Sequence, residues 1–270
     1  MDSKELAVKA AKIRYEALEA ITCAGTGHPG GSLSMADIIT VLYFKVMNID
    51  PKHPDDPDRD RMVLSKGHAC PALYATLAER GFFDKNELKR LRHLDSFLQG
   101  HPDMKHTPGI DMSTGSLGQG ISAACGIALA ARLQKRSYRV YTVLGDGEID
   151  EGQVWEALMF AKHYNLSNLT IVLDHNGLQI DGTNDEVMSV KNPVARFASF
   201  GFNVIEIDGN DIDSVIAALS LAQKRADKPT VIVANTVKGK GVSFMENQVG
   251  WHGKAPSLDE LAKAKEELEV

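Results

Sequence analysis

The stretch Tyr138–Gly152, YRVYTVLGDGEIDEG, decides the fold. Its first eight residues, YRVYTVLG, are mostly β-branched, aromatic or aliphatic, the composition of a short buried strand. The chain then turns through GDGEIDEG, where three glycines permit a tight path around four carboxylates: Asp146, Glu148, Asp150 and Glu151. Like charges this close repel one another unless a cation, a helix end or solvent separates their roles.

The same alternation extends on the C-terminal side. A helical pattern at 151–164 is followed by NLTIVLD, a long loop, FNVIEID, a second helical pattern at 211–225, and PTVIVANT. Short β-branched runs alternating with helices predict an α/β fold, a three-layer sandwich whose mostly parallel sheet carries helices on both faces. Upstream, helical periodicity marks 4–22, 34–47, 69–80 and 86–93, the last opened by Asp84 and Glu87 at capping-box spacing. RMVLS at 61–65 reads as a short buried strand, and the prolines and charges of NIDPKHPDDPDRDR as a surface loop. Ser257 and Glu260 open a C-terminal helix that reads as exposed. With no internal repeat and no linker, residues 1–270 read as one domain.

Composition narrows the function. A hydrophobic fraction of 43% and a charged fraction of 24% are those of a globular protein. The net charge of −6 argues against nucleic acid or an anionic membrane as partner, since either needs a positive field. Cys23, Cys70 and Cys125 show no C-x-x-C spacing and read as small core residues in a reducing cytoplasm. The N-terminus lacks the unbroken apolar run of a signal peptide, and no segment reaches membrane-spanning length.

In an open parallel sheet, ligands bind beyond the carboxyl ends of the strands. LGDGEIDEG ends one predicted strand and LDHNGLQIDG the next, so Asp146 and Asn176 are expected to meet there. A carboxylate and a carboxamide are hard oxygen donors that suit Mg²⁺ or Ca²⁺, and Mg²⁺ completes its octahedron readily with phosphate oxygens. GDG alone is commonly just a turn; the matching Asn-Gly turn one strand later favours a metal and a phosphorylated cofactor. Asp150 and Glu151 sit where a helix begins, as caps or dipole partners.

Four histidines adjoin glycine: His28 in TGHPGG, His68 in SKGHA, His101 in QGHPD and His252 in GWHG. Four such open loops predict a shared polar cleft in which imidazoles bind phosphate or hydroxyls and move protons. The other five histidines, in charged loops or helices, read as carrying no function. TGSLGQG, residues 114–120, leads into the small-residue helix ISAACGIALAARL and exposes backbone groups at its start, though alone it is weak support for nucleotide binding. Lys238 and Lys240 in TVKGKG follow a strand and either meet an anion or, more commonly for lysine, stay solvated.

Together these segments resemble the thiamine diphosphate enzymes, whose motif begins GDG and ends in Asn about 30 residues on. More specifically, GHPGGSLS, LSKGHA, GHPD, TGSLGQG, GDGEIDEG, LDHNGLQIDG and WHGK, in this order, resemble the N-terminal half of transketolase over essentially the whole chain. The resemblance implies thiamine diphosphate and Mg²⁺ as cofactors, with Ca²⁺ or Mn²⁺ as substitutes, and a metal held by Asp146, Asn176 and the carbonyl of Leu178. It implies that Gly147, His68 and His252 contact the diphosphate, that Gly115, Ser116 and Leu117 line the cofactor rings, and that Ile180 helps hold the cofactor bent. Ser116 stands where many family members have proline, a change that leaves a backbone role intact.

His28 and His101 are implied to face the sugar and His252 to lie near the reacting carbon, all three shuttling protons among the hydroxyls, and Glu151 to lie near a contact between active sites. Glu148 and Asp150 remain solvated turn and cap residues. The resemblance also implies a separate C-terminal subunit, with the pyrimidine-binding and C-terminal domains, that supplies an activating glutamate and most of the grip on a sugar phosphate. A cytoplasmic dimer of heterodimers, transferring a two-carbon ketol group between sugar phosphates of the pentose phosphate kind, is the expected form. The alternatives are a split ketol transferase for an unusual sugar phosphate or sulfosugar, and a noncatalytic cofactor-binding module. A zinc hydrolase using the histidines is disfavoured by the lack of an H-x-x-x-H pair.

Overall fold

The computed structural model describes residues 1–270. Five strands, β1 (Arg61–Leu64), β2 (Val140–Gly145), β3 (Leu169–His175), β4 (Asn203–Asp208) and β5 (Thr230–Asn235), form one sheet in the order β1-β2-β3-β5-β4. Every pairing is parallel. All carboxyl ends therefore lie on one edge, and β2 and β3 bring Gly145 opposite Asp174. The order fails to follow the sequence where β5 lies between β3 and β4.

Strand residues alternate between two apolar cores because successive side chains point to opposite faces. Tyr141, Val143, Val172 and Ile232 face the larger core. Val140, Leu144, Ile171 and Val233 face the other. The larger core is closed by α1 (Ser3–Ala24), α3 (Ala36–Val41), a π-helical turn at Leu42–Val46, and α4 (Cys70–Arg80), while α2 (Pro29–Ser34) lies between α1 and α3 in the chain. α5 (Gln119–Leu133) and α6 (Gly152–His163) cover the opposite face. Asp2 and Glu5 cap α1 reciprocally, and Gly25, at φ 64°, ends it in the left-handed conformation.

The long loop after β3 contains two short helices, α7 (Asn184–Val187) and α8 (Pro193–Ser199). Thr183 with Glu186, and Asn192 with Pro193, supply their starts. α9 (Ile212–Lys224) returns to the larger core, and α10 (Leu258–Glu267) ends the fold. That last helix is amphipathic rather than simply exposed: Leu261, Ala264 and Leu268 pack with Leu18, Leu33 and Trp251 in a third cluster.

Three other expectations change. Residues 34–47 are not one helix, because Met35 leaves helical geometry at ψ 1° and the final turn widens to π. The predicted helix at 86–93 is a 3₁₀ segment, Lys85–Arg90: Asp84 accepts from Asn86, and Arg92 takes φ 61° to bond Leu98. Cys70 and Cys125 are buried as expected, whereas Cys23 is exposed. No helix is long and apolar enough to cross a membrane.

Candidate cofactor site

A cleft of about 360 Å³ opens beyond the carboxyl ends of β1, β2 and β3. Loops from six parts of the chain bring His28, His68, Gly115, Leu117, Asp146, Gly147, Asn176, Leu178, Ile180 and His252 to its walls. Ser116, Glu151 and His101 do not line it. His101 instead packs its ring over Gly115, where a Cβ would come within 2.9 Å of the imidazole. Glu151 is exposed at the start of α6, with its Cβ against Gly118.

The oxygen donors predicted for a metal are held by backbone and neighbouring strands. Asp146 accepts from His175 Nδ1 at 2.5 Å and from the Gly177 amide at 2.7 Å. The hydrogen bond to Asp146, more than burial opposes it, raises the His175 pKa. His175 was among the histidines expected to be idle; its place at the end of β3 makes it the neighbour of Asp146 instead. Asn176 donates its amide to Asp174 at 3.1 Å, which fixes the carbonyl end, and Oδ1 accepts from the Leu178 amide at 3.2 Å. The amide orientation follows from these partners.

Asp174 and Lys66 form the floor. Asp174 is fully buried and accepts from Lys66, Ser34 and Thr236, each at 2.5 or 2.6 Å. Lys66, 1% exposed, also donates to the Gly31 carbonyl at 2.8 Å. Gly31 leaves the cleft open here, since a Cβ would sit 3.5 Å from both Lys66 Nζ and His68 Nε2.

Lys238 departs most from expectation. It is 2% exposed rather than solvated, and it lines the cleft. Its ammonium donates to His252 Nδ1 at 3.0 Å and reaches the carbonyls of Gln179 and Leu178 at 3.3 and 3.5 Å. No carboxylate pairs with it. Burial, reinforced by the charge of Lys66, lowers its pKa to about 8. Lys240, two residues on, lies 3.6 Å from Glu246 at the surface.

Three imidazoles crowd the same wall. The rings of His28, His68 and His252 lie 5.1 to 5.4 Å apart. Burial first, then nearby cations, holds His28 and His252 at about 4 and lowers His68 as well. All three are neutral at pH 7. Because His252 Nδ1 accepts from Lys238, its ring proton sits on Nε2. His28 Nδ1 is buried without a partner. No group of three or more His, Cys, Asp or Glu side chains is arranged to hold a metal.

Glu148 also departs from expectation. It is 1% exposed and accepts from the Ser65 hydroxyl and from the amides of Gly118 and Gly145. Burial raises its pKa against these hydrogen bonds. Asp150, by contrast, is a turn residue bonded to Gln179. The GDGEIDEG acids are thus separated by partner: His175 and Gly177 for Asp146, a loop cluster for Glu148, and Gln179 for Asp150.

Sequence patterns singled out the oxygen donors and the glycine-flanked histidines. They passed over Lys66, although it lies inside LSKGHA, and they could not distinguish buried Lys238 from half-buried Lys240 in TVKGKG. The difference is made by residues 178–179 and 252, which close over Lys238 from distant parts of the chain.

Comparison with known proteins agrees with this geometry. The transketolase, thiamine diphosphate binding domain family matches residues 4–270. The chain is 45% identical over 257 residues to the 6-deoxy-6-sulfo-D-fructose transketolase subunit SqwG of Clostridium sp. (strain MSTE9), covering 95% of this chain and 94% of that one. It is 38% identical over 268 residues to a subunit of the apulose-4-phosphate transketolase of Phocaeicola vulgatus, covering 99% and 95%. The crystal structure of transketolase from Campylobacter jejuni superposes with a TM-score of 0.94 at 34% identity, covering 100% of this chain and 43% of that one. The fold, the cleft and the match over nearly its full length establish that this chain belongs to the transketolase thiamine diphosphate-binding domain family.

Proposed function

We propose that this chain is the cofactor-holding subunit of a two-subunit ketol transferase, which moves a two-carbon ketol group from a phosphorylated or sulfonated ketose to an aldose phosphate. The observation that carries the reading is the buried ammonium of Lys238, unpaired with any carboxylate, in one cleft with Asp146 and Asn176. A buried cation without a counter-ion is costly. A metal diphosphate would satisfy both walls.

The residues fit such a group by chemistry as well as charge. Asp146, Asn176 Oδ1 and the Leu178 carbonyl would hold Mg²⁺, with Ca²⁺ or Mn²⁺ as substitutes. Lys66, Lys238, His68, His252 and the Gly147 region would take the diphosphate. Gly115, Leu117 and Ile180 would flank the rings. When bound, thiamine diphosphate supplies the nucleophilic carbon and the electron sink needed to break a ketose C2–C3 bond.

The chain's own groups then handle protons. Neutral His28 lines the cleft, where its imidazole would bond a sugar hydroxyl, and His252 presents Nε2–H as a donor. His101, at the rim over Gly115, would orient the sugar.

The similar proteins named as subunits support a C-terminal partner subunit, which would bring the activating glutamate and the phosphate grip. Glu151 and the exposed Met159 and Phe160 of α6 are where a further subunit contact would fall, giving a dimer of heterodimers. A cytoplasmic site of action belongs to the same reading. The sugar is more open: the 45% identity to a sulfofructose subunit favours a sulfosugar or unusual sugar phosphate over the ordinary pentose phosphates as donor.

The test is transfer of a two-carbon unit, followed chromatographically, by this chain alone and mixed with its C-terminal partner, thiamine diphosphate and Mg²⁺. Donors would include xylulose 5-phosphate, 6-deoxy-6-sulfofructose and apulose 4-phosphate. Transfer only by the mixture supports the proposal. Equal transfer by the isolated chain, or none from any ketose by the assembled pair, contradicts it.

A further inference from the structure

The segment Thr114–Gly118 crosses the cleft as a bridge fastened at both ends. At one end the Thr114 hydroxyl donates to the Leu64 carbonyl at 2.7 Å. At the other, the Gly118 amide donates to Glu148 Oε1 at 2.9 Å. Gly115 and Leu117, between these anchors, line the cleft.

The second anchor has a physical purpose. α5 begins at Gln119, and its N-cap, Gly118, sits at φ 81° with no side chain to cap the helix. The cap comes from elsewhere: the Ser65 hydroxyl, at the end of β1, accepts from the Ile121 amide at 3.1 Å and donates to Glu148. Glu148 places a carboxylate by the helix's positive end. Its other oxygen accepts from the Gly145 amide at 3.3 Å, just before Asp146. One buried side chain thus ties the end of β1, the start of α5 and the β2 turn. Gly120 permits the approach, since a Cβ there would lie 2.6 Å from Ser65 Oγ.

We propose that Glu148 is a positioning residue for the cofactor: it fixes the height of Gly115–Leu117 over the cleft and couples that bridge to the Asp146 turn. This rests on the reading of the cleft as a thiamine diphosphate site. Gln is the informative replacement, because it keeps the shape but puts an NH₂ group where at least one amide or hydroxyl donor now points.

The experiment measures two quantities on the assembled two-subunit enzyme. Hydrogen exchange by mass spectrometry reports the 114–121 segment, and calorimetry reports thiamine diphosphate affinity with Mg²⁺. For Glu148→Gln, exchange in 114–121 should quicken at least about tenfold while β3 and β5 peptides stay unchanged, and affinity should fall roughly 10- to 100-fold, the usual cost of losing an outer-shell partner. Ser65→Ala removes the hydroxyl that links Glu148 to α5. It should show both effects more weakly, and add little to Glu148→Gln, because the two act as one unit. Should Glu148→Gln fail to assemble, Ser65→Ala carries the same two readouts. Unchanged exchange, uniform acceleration across the protein, or faster exchange with unaltered affinity would overturn the proposal. Failure of the wild-type enzyme to bind thiamine diphosphate would instead overturn the reading of the cleft, with the exchange result still reporting on the anchor itself.

Discussion

Lys66 Nζ lies 2.5 Å from Asp174 Oδ2, with both side chains buried beneath the cleft. The pair is not isolated: Ser34, Thr236 and Asn176 also donate to Asp174, so the carboxylate joins β3 to α2, to the chain after β5 and to a predicted metal ligand. Removing either partner leaves an uncompensated charge in a nearly water-free site. Lys66→Met or Asp174→Asn should therefore destabilise the protein by about 3–5 kcal/mol, and replacing both by apolar residues should cost less than the sum of the two. Urea denaturation of the three variants measures this, and additive losses would show that the two groups do not act as a pair.

Lys238 should show the opposite balance. Its buried ammonium has no carboxylate partner, so Lys238→Met removes a desolvated charge without stranding one. The variant should melt at or above the wild-type temperature yet bind thiamine diphosphate at least about tenfold more weakly, a trade of function for stability. A lower melting temperature with normal cofactor affinity would reverse the assignment.

The histidine wall predicts a pH dependence. Burial and neighbouring cations hold His28 and His252 at about 4, below the ordinary value of 6.5. After burial, Arg92, His101 and Lys238 act on His28, while Lys238, His28 and Lys66 act on His252. Between those limits the unfolded chain binds protons that the folded chain refuses. Stability from these groups is thus full above about 6.5 and falls as pH drops toward 4. His28→Asn should lose less stability than the wild type between pH 7 and pH 5 in chemical denaturation. Parallel curves would mean that His28 titrates normally in the folded protein.

Much of this architecture was legible because strands and turns carry local signals. YRVYTVLG and NLTIVLD are apolar along both faces, as strands covered on both sides must be, and their ends placed Asp146 and Asn176 on the same edge. Departures arise where distant contacts override local pattern. The segment predicted as a helix over 86–93 ends at Arg90, where Leu91 turns to ψ 127° and Arg92 takes a left-handed conformation to bond Leu98. Glu148 looked like a solvated turn residue because its partners, Ser65 and Gly118, come from other loops. His175 stood inside a quoted motif, but its bond to Asp146 depends on the pairing of β2 with β3. The short helices α7 and α8 are a different case: T-N-D-E and N-P are ordinary helix-start signals, passed over within a stretch read as loop.

Asp146 is the residue on which the cofactor reading turns, since it is the one charged donor among the predicted metal ligands. The decisive measurement is calorimetric titration of thiamine diphosphate into the assembled enzyme, once with Mg²⁺ and once with EDTA, for the wild type and Asp146→Ala. Saturable binding by the wild type with Mg²⁺, lost in EDTA and lost in Asp146→Ala, is the predicted result. Equal affinity in EDTA, or in the variant with Mg²⁺, would contradict a metal diphosphate site at this turn.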